Sequence, residues 1–339
     1  MSPESPRSDG AAVKAPADRD VDAIRVEQLT RRFGDLVAVD SLSLSVRRGE
    51  LFGLVGPDGA GKTTTLRVLA GVLRPSAGVA IVGGIDVARD PEGVKGQLAY
   101  MSQRFGLYAD LTVIENLEFY ADLYRVPRGE RAARLARLFR FSGLEPFRDR
   151  LAGKLSGGMK QKLGLSCALI HEPEILLLDE PTFGVDPISR RDLWLIVHEM
   201  VARGVTVVVS TAYMDEAERF DRLAMIHRGR LLALDTPDAL RRGLAGEILA
   251  VRVAAGRARA ARDAARAIPH VRRVAIFGDR LHLTIGSAAA EGPAVVAALR
   301  GAGFPAAESE PIEPSMEDVF IDKIGADAET TGGITRSGA

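Results

Sequence analysis

The sequence predicts an α/β fold with an inserted helical region, followed by a small C-terminal α+β domain. Three observations support this fold class. Short apolar runs typical of strands alternate with segments of helical period. A glycine-rich turn joins one of these runs to a helical segment, and beyond about residue 244 the composition shifts towards Ala and Arg. The length of 339 residues allows about two domains at roughly 150 residues each.

Composition narrows the class of protein. The 45 basic and 45 acidic side chains give a formal net charge of zero, so no global field attracts nucleic acid or anionic lipid. The single cysteine, Cys167, excludes an internal disulfide and fits a reducing compartment. No run approaches the roughly 18 apolar residues of a membrane span, and the N-terminus lacks the apolar segment of a signal peptide. We therefore expect a protein of the cytosol or of a membrane surface.

The first part of the chain is predicted to be a leader followed by three strands. Residues 1–22 are rich in Ser, Pro, Ala and charge without periodicity, which is typical of disorder. Strand-like runs follow at residues 24–29, 41–46 and 51–55, and the last is wholly apolar, as expected of a buried central strand. Between the first two lies Phe33, an aromatic that could stack on a nucleobase or belong to the core.

Residues 56–63 have the form G-x-x-x-x-G-K-T and lie between the central strand and a helical run. Glycines in such a loop let backbone N–H groups curl around an anion, and the helix N-terminus adds a favourable dipole. Lys62 supplies a charge for the β- and γ-phosphates, and Thr63 a hydroxyl for Mg²⁺. A plain glycine-rich turn is the alternative, which the complete motif in this context disfavours. The predicted nucleotide-binding residues here are Gly56, Pro57, Asp58, Gly59, Ala60, Gly61, Lys62, Thr63 and Thr64.

A helical insertion is predicted over about residues 104–165. Two strand-like runs, at residues 79–82 and 99–101, and then Gln103 precede it in the sequence. The apolar residues of the insertion recur at helical spacing. One face of a predicted helix in it is rich in arginine. We interpret this face as solvated and expect no nucleic-acid partner, because no exposed aromatic residues interleave it. The arginines are Arg131, Arg134, Arg137 and Arg140.

A second glycine signal, LSGGMKQ at residues 155–161, opens the next helix. The Ser156 hydroxyl and the backbone N–H groups of a helix N-terminus would form another anion site. Alone, Ser-Gly-Gly more often marks a linker turn. The segment that follows favours the anion site, because residues 175–180 form an apolar strand that ends in two carboxylates, Asp179 and Glu180.

These two carboxylates need partners, since burying a charge is costly unless it is paired or bound to metal. Adjacent residues on a strand point to opposite faces. We therefore assign Asp179 to Mg²⁺ and Glu180, just past the strand end, to an attacking water. An exposed acidic strand end is the alternative, and the phosphate loop elsewhere in the chain disfavours it.

Together these motifs resemble the ATP-binding-cassette (ABC) ATPase family, and closely the ATPase subunits of bacterial ABC-2-type multidrug exporters. The resemblance covers about residues 24–235 and implies a P-loop NTPase fold with ATP and Mg²⁺ as cofactors. Six elements match in the family's order: the adenine-stacking aromatic (Phe33), the Walker A loop (56–63), the Q-loop glutamine (Gln103), the signature LSGGxxQ (155–161), the Walker B strand (175–180) and the D-loop (185–187).

The resemblance also implies a mechanism. Two such domains face head to tail, and each ATP lies between one chain's Walker A loop and the other chain's signature. Lys62, Gln103 and Glu180 are then catalytic: Lys62 supports attack of water on the γ-phosphate, and the other two position the water. Thr63, Gln103 and Asp179 would hold Mg²⁺. The residues implied to contact nucleotide from the signature and the D-loop are Ser156, Gly157, Gly158, Gln161 and Asp186.

One position departs from the family. The switch histidine that touches the γ-phosphate belongs at the third position of Ser-Thr-Ala, where this chain has Ala212. Losing such a preorganised donor typically costs ~10²–10³ in rate. The chain could therefore be the slow ATP-binding half of a heterodimer with a histidine-bearing paralogue, rather than half of a homodimer. Asp58, where many relatives carry Asn, is a milder variation, and its carboxylate should face away from the phosphates or be paired.

A membrane partner follows from the same resemblance. In the family, the region where the core meets the helical insertion forms a groove that receives cytoplasmic helices of a permease. Exposed aromatic side chains would suit such a groove, and packing within the helical insertion is an equal alternative for each. The candidate contacts are Phe105, Leu107, Tyr108 and Tyr120.

Residues 244–325 are predicted to form the α+β domain, and residues 326–339 a disordered tail. The order β-α-β-β-α suggests a ferredoxin-like sandwich. Ser315 is predicted to cap a final helix, with Asp318 in its first turn. The predicted elements are a strand at 247–253, a helix at 257–268, a hairpin of strands 271–277 and 280–285, and a helix at 293–302.

We therefore predict the ATP-binding and hydrolysing subunit of an ABC-2-type exporter of drugs, lipids or similar compounds, with its ATPase domain over residues 23–243. It would lie peripherally at the cytoplasmic face of the inner membrane. The alternatives are an importer ATPase, a soluble ABC protein of translation or DNA repair, and a non-hydrolysing regulator. The single cassette and the lack of long heptad repeats argue against the soluble class, and Ala212 alone favours the regulator.

Overall fold

The computed structural model describes residues 22–103, 106–254, 256–304 and 308–332. The chain divides into two compact units. The first contains the described residues of Met1–Leu54 and Gly59–Thr211, and the second contains Val55–Asp58 and the described residues of Ala212–Ala339. The predicted leader lies outside the described residues, except that the first strand already begins at Asp22.

The elements up to Thr211 alternate between strands and helices, as the sequence predicts. They are β1 (Asp22–Phe33), β2 (Leu36–Arg47), β3 (Leu51–Val55), α1 (Lys62–Leu69), β4 (Ala77–Val82), β5 (Ile85–Asp86), α2 (Pro91–Lys95), β6 (Leu98–Met101), α3 (Val113–Leu123), α4 (Arg128–Ser142), α5 (Gly157–Leu169), β7 (Ile175–Asp179), α6 (Pro187–Ala202) and β8 (Thr206–Thr211).

Two sheets organise these elements. Strands β2, β1, β4 and β5 pair antiparallel in that order. In the second sheet β3, β8, β7 and β6 are successive neighbours, and β6, β7 and β8 run parallel. The register places Met101 beside Leu178 and Asp179 beside Ser210. Because parallel strands end at the same edge of a sheet, the residues at the ends of β6, β7 and β8 meet there.

The helical insertion consists of α3 and α4, which both pack against α5. Thr112 and Glu115 form a capping box that starts α3, with each side chain bonded to the other residue's backbone N–H. The buried Asn116 side chain accepts from the Tyr108 N–H and donates to the carbonyls of Tyr108 and Leu111. This side chain therefore holds the chain in place just before the helix.

The interpretation of the arginine face as simply solvated is wrong for two of its members. Arg131 pairs with Asp122 and Arg134 with Glu130 and Glu172, and their side chains are only 21% and 15% exposed. Arg134 also donates to the Ile170 carbonyl at 3.0 Å. The physical reason is that long arginine side chains can cover apolar surface while their guanidinium groups reach fixed partners.

The elements of the second unit begin with a hairpin and continue into a four-stranded sheet. They are β9 (Arg222–His227), β10 (Arg230–Asp235), α7 (Pro237–Arg242), β11 (Glu247–Arg252), α8 (Ala258–Ala265), β12 (Arg273–Phe277), β13 (Arg280–Ile285), α9 (Ala288–Gly301), β14 (Glu308–Ile312) and α10 (Met316–Gly332).

Strands β12, β13, β11 and β14 pair antiparallel in that order, and α8 and α9 pack against them. This is the split β-α-β arrangement of a ferredoxin-like sandwich, as the element order suggested. Its core contains the fully buried side chains of Val251, Leu281, Leu283, Ile285 and Leu299. Helix α10 packs against β12 but also against β10, α7 and the 3-10 helix Met214–Arg219. The predicted boundary after residue 243 therefore lies within one unit and stays a prediction.

Two expectations need correction here. Strand β14 was not predicted, because its sequence ESEPI contains a proline and two glutamates, which are features of an edge strand. The tail predicted to begin at residue 326 is helical as far as Gly332, since Ala and Glu continue the helix that begins at Met316. Within the described ranges, none of the helices has the length and apolar character needed to cross a membrane.

Candidate functional site

The phosphate loop leads into α1 through glycines in left-handed conformations. Gly59 has φ 77° and Gly61 has φ 104°, backbone angles that residues with a Cβ rarely adopt. The Gly61 carbonyl accepts from the Thr65 N–H and hydroxyl at 2.9 and 3.0 Å. The first turn of α1 has neither a capping side chain nor an acidic residue. Its N–H groups are therefore suited to an external anion.

Glu180 lies between the two other predicted catalytic side chains. Its carboxylate is 3.1 Å from Lys62 Nζ through Oε1, and Oε2 accepts from Gln103 Nε2, also at 3.1 Å. Glu180 and Lys62 are both buried, so their pairing offsets the cost of removing two charges from water. The structure thus brings Lys62, Gln103 and Glu180 together, although 77 positions separate the last two in sequence.

The backbone at Glu180 explains how its side chain reaches this position. Its φ of 49° is left-handed, which is uncommon for a residue other than glycine. The Glu180 N–H donates to both the carbonyl and the hydroxyl of Ser210, at 3.1 and 3.0 Å. These bonds from β8 hold the turn in a conformation that would otherwise be strained.

Asp179 ends β7 and is surrounded by hydroxyl groups. Its Oδ1 accepts from Thr63 Oγ1 at 3.0 Å and from Ser210 Oγ at 2.7 Å, while Oδ2 accepts from the Tyr100 hydroxyl at 3.2 Å. The side chain is 1% exposed. Oxygen donors of this kind suit Mg²⁺, which prefers carboxylate and hydroxyl ligands, so Thr63 and Asp179 fit the predicted metal site. Sequence reasoning missed both contacts: Ser210 entered it only as the first residue of the Ser-Thr-Ala segment, and Tyr100 belongs to none of the motifs.

The signature residues start α5. Ser156 Oγ accepts from the Met159 N–H at 3.3 Å, and the first turn carries no acidic residue. Ser156 and Gly157 are exposed, Gln161 is half-buried and Gly158 is buried. A Cβ on Gly158 would collide with the Ser189 side chain, whereas one on Gly157 would have the Gly184 carbonyl at 3.9 Å as its nearest neighbour.

Asp186 of the D-loop caps the neighbouring helix α6. Its Oδ1 accepts from the N–H groups of Ser189 and Ile188 at 2.9 and 3.1 Å. The hydrogen bonds from Ser189, more than that from Ile188, lower the pKa of the exposed Asp186 carboxyl. Since Ser189 also lies against Gly158, the signature and the D-loop are in contact within one chain.

The remaining predicted residues are placed as follows. Phe33 is 43% exposed, and the Arg31 guanidinium lies 4.5 Å from its ring centroid. Asp58 is exposed, and Ala212 directly follows β8. In the phosphate loop Gly56 and Ala60 are buried, Gly59 is exposed, and Pro57, Gly61, Thr63 and Thr64 are partly buried.

The predicted permease contacts divide into two kinds. Tyr108 is 47% exposed and meets the Phe119 ring edge-on, with centroids 4.5 Å apart. Tyr120 is buried, and its hydroxyl donates to the Gly106 carbonyl at 2.7 Å, so packing within the helical insertion explains it. Leu107 is partly buried, and Phe105 lies outside the described residues.

A phosphate loop after β3, two carboxylates at the end of the buried strand β7 of the same sheet and a glycine-serine helix start define an ATP-binding cassette of the P-loop class. Comparison with known proteins agrees. The family described as "ABC transporter" matches residues 39–183, and the family described as "ATP-binding protein DrrA1-3-like, C-terminal domain" matches residues 236–324.

Two curated relatives and one solved structure illustrate the similarity. The chain is 44% identical over 305 residues to the probable multidrug ABC transporter ATP-binding protein YbhF of Escherichia coli (strain K12), covering 89% of this chain and 52% of YbhF. It is 36% identical over 319 residues to the daunorubicin resistance ATP-binding protein DrrA2 of Streptomyces coeruleorubidus, covering 91% and 97%. The dimeric, ADP- and Pi-bound ATP-binding cassette MJ0796 superposes with a TM-score of 0.57 at 25% identity, covering 63% and 98%.

The chain therefore belongs to the ATPase family of ABC transporter ATP-binding proteins. It spans about half the length of YbhF and nearly the whole length of DrrA2.

Proposed function

We propose that this chain is the ATP-binding and hydrolysing subunit of an ABC-2-type exporter and that ATP drives closure of a dimer. The observation that carries the proposal is the cluster of Lys62, Gln103 and Glu180 beside Thr63 and Asp179. These are the side chains that phosphoryl transfer to water requires: a cation for the phosphates, oxygen ligands for a metal, and a carboxylate for the water.

The residues divide the work of hydrolysis. Lys62 neutralises the β- and γ-phosphates, whose oxygens also accept from the N–H groups at the start of α1. Thr63, Gln103 and Asp179 would hold Mg²⁺, which would supply charge stabilisation for the transferred phosphoryl group. Glu180 releases Lys62 to the nucleotide and, with Gln103, orients the attacking water. Phe33 stacks on the adenine.

A second ATPase domain completes each site in this proposal. The exposed start of α5, with Ser156 and Gly157, faces the γ-phosphate held by the partner, and Asp186 lies at the same interface. The dimeric state of the MJ0796 cassette supports this arrangement. Contact between Gly158 and Ser189 lets a change at one motif reach the other.

The transport partner is proposed to be an ABC-2-type permease at the cytoplasmic face of the inner membrane, with this chain bound peripherally. Tyr108 and Phe119 form an exposed aromatic pair on the helical insertion, and Leu123 on the same helix is 58% exposed. An exposed apolar patch of this kind suits a protein partner. The names of two relatives, a probable multidrug transporter protein (YbhF) and a daunorubicin resistance protein (DrrA2), support efflux of a drug-like cargo.

Ala212 favours a second candidate function. Without a histidine after Ser210 and Thr211, the γ-phosphate lacks one donor at this position. The chain would then act as the ATP-binding half of a heterodimer, and the histidine-bearing paralogue would hydrolyse ATP at normal speed.

Steady-state ATPase assays of the purified chain separate the two candidates. Under the first proposal the unmodified chain hydrolyses ATP, and Glu180→Gln lowers the rate at least about 100-fold. Under the second the unmodified chain is slow and Ala212→His raises its rate. Glu92→Gln, an exposed carboxylate on α2, is the matched control and should leave the rate unchanged. Failure of the chain to bind ATP at all would overturn both candidates.

A further inference from the structure

Tyr100 makes a contact that no motif predicts. It lies on β6, and its hydroxyl donates to Asp179 Oδ2 at 3.2 Å. Its partner, the Asp179 carboxylate, is buried. A hydroxyl from the neighbouring strand therefore reaches the carboxylate at the end of β7.

The two oxygens of Asp179 have different partners. Thr63 and Ser210 donate to Oδ1, at 3.0 and 2.7 Å, whereas Tyr100 donates to Oδ2. Thr63 is also the hydroxyl assigned to Mg²⁺. Oδ1 is thus the oxygen beside the metal ligand, and Oδ2 is the oxygen by which the protein can fix the rotation of the carboxylate.

The direction of this hydrogen bond follows from the groups that form it. An ionised carboxylate can only accept, so the Tyr100 hydroxyl donates to Asp179 Oδ2. Tyr100 therefore restrains the one carboxylate oxygen that Thr63 and Ser210 leave to it.

We propose that Tyr100 is a positioning residue for the magnesium site: its hydroxyl holds Asp179 Oδ2 so that Oδ1 is presented beside Thr63. The proposal rests on the proposed function of Asp179 as a Mg²⁺ ligand. Groups that orient a metal ligand from the second layer typically contribute 10–100-fold to metal affinity or activity.

The test is Tyr100→Phe, which keeps the ring and removes only the hydroxyl. Binding of Mn²⁺, as a paramagnetic substitute for Mg²⁺, is titrated by electron paramagnetic resonance in the presence of ADP, so no turnover is needed. We expect the Mn²⁺ dissociation constant to rise about tenfold. The affinity for ADP alone, measured in EDTA, should not change, because Tyr100 acts on the metal site and not on the phosphates.

Tyr124→Phe is the matched control. Tyr124 lies at the C-terminal end of α3, where its ring stacks on His171 with the centroids 3.9 Å apart, and it does not contact Asp179. It should leave Mn²⁺ binding unchanged. Equal Mn²⁺ affinity in Tyr100→Phe and the unmodified chain would overturn the inference while leaving the proposed function intact. Absence of Mn²⁺ binding in the unmodified chain with ADP would instead refute the metal site itself, and the inference with it.

A second variant covers the case in which Tyr100→Phe does not fold. Tyr100→Met also removes the hydroxyl and fills the space with a flexible apolar side chain. A rise in the Mn²⁺ dissociation constant of this folded variant supports the proposal, and an unchanged constant overturns it.

Discussion

Helices α5 and α10 both begin at a serine, but different groups lie at their first turns. Ser156 caps α5 by accepting from the Met159 N–H, and no acidic side chain lies in that first turn. Ser315 precedes α10, and Asp318 accepts from both its N–H and its hydroxyl, at 2.9 and 2.6 Å. Asp318 in turn contacts His282 Nδ1 of β13 at 2.9 Å.

The difference teaches how a helix start becomes a binding site. At α10 the chain supplies its own carboxylate, so the positive end of the helix dipole is already compensated. At α5 the position equivalent to Asp318 is Met159, the two positions before it are glycines, and Ser156 and Gly157 are exposed. An external anion can therefore take the place there, in agreement with the proposed contact to a partner's nucleotide.

The largest expected effect concerns the start of α10, which we call the closed helix start because the chain's own Asp318 carboxylate lies there. Asp318→Ala would leave His282 and Ser315 without the carboxylate that both contact, in a pair whose side chains are only 11% and 3% exposed. Breaking a buried pair of this kind costs about 3 kcal/mol of unfolding free energy. Urea unfolding of the full chain measures the change, and Asp263→Ala, at an exposed carboxylate, should shift stability by less than about 0.5 kcal/mol.

A loss of nucleotide binding in Asp318→Ala, with stability unchanged, would contradict the comparison. It would mean that the helix start with its own carboxylate serves the ligand and not the fold.

The second prediction concerns the two glycines at the start of α5, which we call the open helix start because its first turn has no acidic side chain. Gly158→Ala places a methyl group into the Ser189 side chain and should lower stability by about 2 kcal/mol, as overpacking does. Gly157→Ala has room and should cost less than about 1 kcal/mol. Thermal unfolding of both variants measures the difference. Equal losses would show that Gly158 is present for a reason other than its contact with the D-loop.

The cluster around Lys62 and Asp179 was predictable because phosphate chemistry demands fixed residue types at fixed spacing. Lys62 and Thr63 follow from the loop motif, and Asp179 and Glu180 from an apolar strand that ends in carboxylates. Ser210 was not predictable in the same way. Its contact with Asp179 depends on the register of β7 with β8, and a sequence does not state which strands are neighbours.

The C-terminal sheet shows the same limit. Strands with apolar residues facing the core, such as β11 and β13, carry a signal that sequence periodicity reveals. Strand β14 is almost wholly exposed and is defined by backbone pairing with β11, so its side chains carry no such signal. The extension of α10 beyond Gly325 was missed for a related reason: a helix that starts in packed structure continues through a segment whose composition alone suggests a tail.

The third prediction compares the two serines directly. Ser156→Ala and Ser315→Ala each remove a helix cap and should each cost about 1 kcal/mol of unfolding free energy. Only Ser156→Ala should also weaken ATP-dependent dimerisation, which analytical ultracentrifugation in a Glu180→Gln background measures. If both variants weakened the dimer equally, the open helix start would lose its special role.

The smallest expected effect is a dependence of stability on acid pH that belongs to the closed helix start. Burial alone would raise the pKa of Asp318, but the hydrogen bonds from His282 and Ser315 lower it overall. A carboxyl with a lowered pKa contributes stability that is fully present above the unfolded value of about 4 and is lost as pH falls through the lower folded value. Asp318→Asn has no carboxyl to protonate, so the gap in melting temperature between it and the unmodified chain should narrow below about pH 4. Asp263→Asn, at an exposed site, is the control and should show no such narrowing. If the difference in melting temperature for Asp318→Asn stayed constant down to about pH 3, the contact with His282 would not depend on the charge of Asp318.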